Sequence, residues 1–137
     1  MNSLVFVVED DKGISLLFKR KLSINGIACI TAANLEDAIE LFERNKEVIT
    51  HIALDGTLTK GRPTDEDPET LLLAKIIADS SGFRGQVFAM SSMYKHNEII
   101  KRVVGPKCEI CGGSIVKNTT LNEIIKRIKE KEEKRVE

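Results

Sequence analysis

The stretch His51-Ile-Ala-Leu-Asp-Gly-Thr-Leu-Thr-Lys-Gly61 decides how the chain is read. A short apolar run ends in one aspartate, Asp55, and small and hydroxyl residues follow. That pattern suits a carboxylate at the end of a buried strand, facing solvent. Three other apolar runs end in the same way. "LVFVV" (4–8) is followed by Glu9-Asp10-Asp11, "QVFAM" (86–90) by Ser91-Ser92, and "SIV" (114–116) by Lys117. A fifth run, "GIACITA" (26–32), is rich in β-branched residues and flanked by turn formers.

Helical patterns lie between these runs. "ISLLFKRKL" (14–22) carries apolar residues at helical spacing and stops near Asn25-Gly26. Residues 34–45 open on Asn34 as N-cap and keep Leu35, Ala38, Ile39 and Phe42 on one face. Residues 67–82 open with Pro68 in the first turn and stop at Gly82. A shorter helix covers 97–105. A last one covers 120–135, begun by a capping box of Thr120 and Glu123. Strand and helix alternate five times, which predicts an α/β fold: a doubly wound, five-stranded parallel sheet with helices on both faces. Residues 58–67 and 105–113 read as irregular.

The length, 137 residues, suits one domain, with its core over about 3–130 and a charged helical extension over 129–137. Lys and Arg together number 21, as do Asp and Glu. This balance gives no global field toward nucleic acid or an anionic membrane, so direct nucleic-acid binding is not expected. The apolar start is too short for a membrane span and lacks the basic region of a signal peptide. We therefore expect a cytoplasmic protein without membrane insertion. Three cysteines do not form a disulfide framework.

In open α/β sheets ligands bind beyond the carboxyl ends of the strands. Acid, acid, hydroxyl and base would all converge there. Clustered carboxylates repel and raise one another's pKa unless a cation joins them. Mg2+ takes oxygen ligands and suits one or two carboxylates. Asp55 suits a nucleophile that forms an acyl phosphate, Lys117 a fixed charge on phosphate, and Ser91 a hydrogen bond to a phosphoryl oxygen. Each residue alone also has an ordinary reading. Glu9, Asp10 and Asp11 suit a helix N-terminus, Asp55-Gly56 a turn, Ser91-Ser92 a cap, and Lys117 a solvated lysine. The specificity lies in their conjunction.

This conjunction resembles the receiver domain of two-component response regulators, of the stand-alone chemotaxis type, over most of the chain. The fold so implied is flavodoxin-like. "VFVVEDD" resembles the family's first strand with its acidic pair. The resemblance implies that Asp10 holds Mg2+ directly and Glu9 through water. "IALDGTL" places Asp55 at the phosphoacceptor and Thr57 where a backbone carbonyl completes the metal site. "FAMSS" places Ser91 at the switch hydroxyl, and "SIVKN" places Lys117 at the phosphate-contacting lysine. The implied partners are a histidine kinase or phosphotransfer protein and a downstream protein. The implied activity is acceptance of phosphate with self-assisted loss of it, not that of an ordinary enzyme.

The chain departs from the family pattern in four places. Asn118 replaces the usual proline, the loop "LTKGRPTDEDP" is long, Ser114 stands where an aromatic is common, and "CEICGG" precedes the last strand. "DGTLT" also resembles haloacid-dehalogenase-type phosphatases, but their nucleophile precedes this motif by two positions, where Ala53 stands. A receiver-like binding module that is never phosphorylated is a further alternative. Cys108-x-x-Cys111 resembles half a zinc ribbon and lacks a second pair, so two small loop residues are the expectation. His51 is expected to precede a strand and His96 to lie in a loop.

Overall fold

The computed structural model describes residues 2–58, 67–111 and 117–136, with side chains as far as residue 133. Its elements alternate: β1 (Leu4–Val8), α1 (Lys12–Ile24), β2 (Ala28–Ala32), α2 (Leu35–Asn45), β3 (His51–Leu54), α3 (Leu71–Asp79), β4 (Gln86–Ala89), α4 (Tyr94–Val104), β5 (Cys108–Ile110) and α5 (Lys117–Val136). The five strands form one sheet in the order β2-β1-β3-β4-β5. Every neighbouring pair is parallel. The expected fold class is the observed one.

The strands read as unbroken apolar runs because both faces of the sheet are covered. Phe6 and Val8 face one side, with Phe42 of α2, Leu73 and Ile77 of α3, and Ile100 of α4. Val5 and Val7 face the other, with Phe18 and Leu22 of α1 and Leu121, Ile124 and Ile128 of α5. The alternation within β1 follows from the two-residue period of a strand. Asp11 caps α1 by accepting from the Ile14 N–H at 3.1 Å. Asn34 caps α2 through the Asp37 N–H.

Two expectations change at the C-terminal end. The fifth strand is Cys108–Ile110, within the stretch expected to be irregular. It pairs Val87 with Cys108 and Ala89 with Ile110. Three residues are too few to show a period, and the charge of Glu109 interrupts the apolar run. That charge is held by Arg127 of α5 and by the Gln86 amide. The "SIV" run and Ser114 lie outside the described residues. The last helix starts at Lys117, so Thr120 is a buried interior residue and its capping box does not form. No described peptide is cis, so Asn118 is an ordinary helical residue. Its Oδ1 accepts from Lys21 Nζ at 2.6 Å and ties α5 to α1.

Cys108 begins β5 and Cys111 follows its end, and both are buried core residues rather than small exposed loop residues. Cys108 packs among the α2–α4 face and Cys111 among the α1–α5 face. On opposite sides of the sheet, they can share neither an ion nor a disulfide, and all three thiols are free. Burial pushes each thiol up to about 11, which suppresses the reactive thiolate. In the native protein a thiol reagent should therefore modify half-buried Cys29 first, and Cys108 and Cys111 only as the fold opens. Mass-resolved labelling with and without denaturant checks this. Native labelling of Cys108 as fast as Cys29 would contradict the packing described.

Candidate functional site

Four segments deliver their side chains to the carboxyl edge of the sheet. β1 ends at Val8, so Glu9 and Asp10 stand at its mouth. The Glu9 N–H bonds the Ala32 carbonyl at 3.0 Å, which extends the β1–β2 ladder by one step and fixes the Glu9 backbone. Asp55 follows β3, and its N–H bonds the Val8 carbonyl at 3.2 Å. β1 and β3 are adjacent in the sheet, so their acids meet. Carboxylate oxygens of Glu9, Asp10 and Asp55 lie within 4.8 Å of one another. Asp11 turns away to cap its helix, and the first-strand pair is Glu9 and Asp10.

Lys117 answers this negative charge. It projects from the first residue of α5, and the run expected to precede it as a strand lies outside the described residues. Its Nζ is 3.5 Å from Asp55 Oδ2 and 4.0 Å from Glu9 Oε1, and it donates to the Met90 carbonyl. Ser91 lies just past β4. The Met90 N–H bonds the Leu54 carbonyl at 3.0 Å, so Ser91 is held beside the segment that carries Asp55. The Ser91 Oγ accepts from the Met93 N–H at 3.0 Å, one turn-forming bond before α4.

The charge balance is incomplete. Glu9 is 2% exposed, and its Oε1 has no hydrogen-bond partner among the described residues. Burial, with the Asp55 carboxylate beside it, pushes the Glu9 carboxyl up to about 8. Among the described residues one ammonium faces three acids. A hard divalent cation fits this donor set: carboxylate oxygens only, close together, one of them orphaned and starved of positive charge.

Three contributors were not foreseen. Thr70, fully buried before α3, spends its hydroxyl on the Asp55 carbonyl at 2.7 Å. It therefore gives α3 no side-chain cap and instead fixes the Asp55 backbone. His96 lies inside α4 and is 1% exposed. A Cβ on Gly56 would come within 2.7 Å of its Nδ1, so only glycine lets this ring approach. Thr57 Oγ1 is 3.4 Å from the same nitrogen. Asn97, with no exposure, donates from Nδ2 to the Ser91 carbonyl and accepts from the Ser91 N–H, both at 2.8 Å. The sequence signal for Asn97 was a polar residue opening an apolar pattern, which reads first as a helix cap. His51, by contrast, is far from the site. It is the first residue of β3 and stacks on Phe88.

No family model matches the chain, and no curated protein matches it. Solved structures do. Over 93% of this chain and 99% of theirs, the chemotaxis response regulator CheY4 of Vibrio cholerae superimposes with a TM-score of 0.68 at 16% identity. A response regulator from Thermotoga maritima gives 0.65 at 22% identity, over 95% and 97%. The BeF3-activated N-terminal receiver domain of Klebsiella pneumoniae RstA gives 0.62 at 17%, over 89% and 95%. The chain has the receiver fold. In that fold the acid cluster and lysine lie at the carboxyl edge of the sheet. Ala53, where a haloacid-dehalogenase-type nucleophile would stand, is buried in the α1–α5 core. No helix among the described residues is long and apolar enough to cross a membrane.

Glu9 makes the stability of the metal-free receiver fold depend on pH. The folded protein keeps a proton that an ordinary carboxyl releases near 4.5. The contribution of Glu9 is therefore full below that value and is lost as pH rises through about 8. Thermal melts in a chelating buffer should show Tm falling across this window, and Glu9→Gln should flatten the fall. An unchanged slope in that variant would place the titration elsewhere.

Proposed function

We propose that this chain is a phosphoacceptor receiver of a two-component phosphorelay. It takes a phosphoryl group from a histidine kinase or phosphotransfer protein onto Asp55 and changes partners in response. The observation that carries this reading is the buried Asp55 carboxylate, 3.5 Å from Lys117 and inside an acid cluster at the carboxyl edge of a receiver fold. A carboxylate so placed is unusual unless a cation and a phosphoryl group complete the charge.

Asp55 acts as nucleophile. One of its oxygens forms a bond to phosphorus while the donor's bond to phosphorus breaks, and the electron pair leaves with the donor. Lys117 neutralises the phosphoryl oxygen that comes to lie between it and Asp55. The Ser91 hydroxyl is the switch group. Glu9, Asp10, Asp55 and the Thr57 carbonyl would hold Mg2+, which neutralises charge on the transferring group when bound. Thr70 keeps the Asp55 backbone from following the reaction. Loss of the phosphoryl group uses the same residues, so the chain assists its own modification without being an enzyme of ordinary turnover. The reading extends to one receiver domain over 1–137, working in the cytoplasm. A receiver-like module that is never phosphorylated is the second reading. The complete set of Glu9, Asp10, Asp55, Ser91 and Lys117 argues against it.

Incubation with acetyl phosphate and Mg2+ should add one labile phosphoryl group by intact mass, and Asp55→Asn should abolish the gain. Equal labelling of that variant would sink the assignment, and no labelling of the wild type would favour the second reading. Asp10→Ala should weaken Mg2+ binding and labelling together. Asp11→Ala should instead cost about 0.5–2 kcal/mol of stability through its lost cap, with labelling kept. Lys117→Ala should keep the acceptor and lose the structural response to beryllofluoride, read from amide shifts.

A further inference from the structure

The mechanism so far does not use the first turn of α4, yet that turn carries two buried polar side chains. Both belong to one helix and each touches a different loop of the site. His96 packs on Gly56 and stands 3.4 Å from Thr57 Oγ1, after β3. Asn97 grips the peptide of Ser91, after β4.

The Asn97 contact is the more constrained. An amide side chain presents one acceptor and two donors. Here its oxygen takes the Ser91 N–H and its nitrogen gives to the Ser91 carbonyl, both at 2.8 Å, with no exposure to water. A reciprocal pair fixes both position and orientation of the residue it holds. Breaking it would strand polar groups inside the protein. The Ser91 hydroxyl is bound differently. Among the described residues its Oγ accepts a single bond, from the Met93 N–H at 3.0 Å. So the backbone of Ser91 is held twice from within the core, while its side chain has one replaceable partner.

We infer that Asn97 is a positioning residue for the switch: it clamps the Ser91 peptide so that the hydroxyl changes partner by rotation about χ1 alone. This rests on the phosphoacceptor reading of Asp55 and Ser91. The rotation trades the Met93 N–H for a phosphoryl oxygen. Met93 then loses the side-chain partner of its amide immediately before α4. The helix start loosens there, next to the turn where His96 contacts the Asp55–Thr57 loop. The signal therefore begins at the Met93 amide and not in a displaced β4–α4 backbone.

The first test uses the wild-type protein with beryllofluoride and Mg2+, read by amide shifts and hydrogen exchange. The Met93 amide should shift and exchange at least several-fold faster. The Ser91 amide and the Asn97 side-chain NH2 should stay protected. Exposure of the Ser91 amide as large as that of Met93 would overturn the clamp. The second test compares Ser91→Ala, Asn97→Ala and the double variant. If Asn97 acts through Ser91, each single variant, compared at a beryllofluoride concentration that saturates it, loses most of the response over 93–100, and the double loses no more than either. A lower Tm with a full response in Asn97→Ala, or additive losses in the double, would make Asn97 merely structural. Absence of any beryllofluoride shift at Asp55 in the wild type would overturn the acceptor reading itself, and is distinguished by the silence of Glu9 and Asp10 amides.

Discussion

Everything at the carboxyl edge depends on holding Glu9 and Asp55 together in a site that water barely reaches. Like charges at this distance resist burial, and the described residues offer one ammonium against three carboxyls. The scaffold overcomes the repulsion with backbone bonds. The ladder bonds of Glu9 to Ala32, Asp55 to Val8 and Met90 to Leu54 fix three strand ends side by side. Thr70 then ties down the Asp55 carbonyl from behind. The acids cannot spread apart, so the unfavourable energy stays stored as a raised Glu9 pKa and an orphaned oxygen. A site under that electrostatic load is prepared for positive charge and for a phosphoryl group that shares it.

Much of this was legible from residues alone. Continuous apolar runs each ending in a polar group predicted the parallel sheet and the edge where Glu9, Asp10, Asp55 and Lys117 meet. The same logic fails for short or charged elements. β5 was hidden because Glu109 sits in the middle of three residues and is stabilised by Arg127, eighteen positions away, and by Gln86 on the neighbouring strand. Cys108 and Cys111 suggested a metal motif because spacing says nothing about sheet faces until the strand is recognised. α5 began three residues before its apparent capping box, since Thr120 is buried by tertiary packing and not spent on a cap.

Thr70, His96 and Asn97 were missed for a different reason. Each is a polar residue near a predicted helix start, where a local capping role is the simplest explanation. Each instead serves another segment: Asp55, Gly56 and Ser91 in turn. Local pattern can propose a polar residue's neighbours along the chain, but not which loop folds over it. The site is therefore built in two tiers. Strand ends carry the charges, and helix starts carry neutral groups that hold the strand-end loops in place.

The position of β1 also sets the order in which the molecule can be completed. It lies between β2 and β3, and one of its faces is covered by α1 and α5. The last of these is the final element of the chain, about 30 Å of helix. Ser3 donates to Glu132 at 2.7 Å, joining residues 129 positions apart. As the chain leaves the ribosome, Val5 and Val7 thus wait until Leu121, Ile124 and Ile128 have been made. The α2–α4 face can close earlier, since its helices are already made. The two faces of β1 are thus covered at different points of synthesis, so a nascent chain stalled before residue 121 would carry an open apolar face for chaperones to bind.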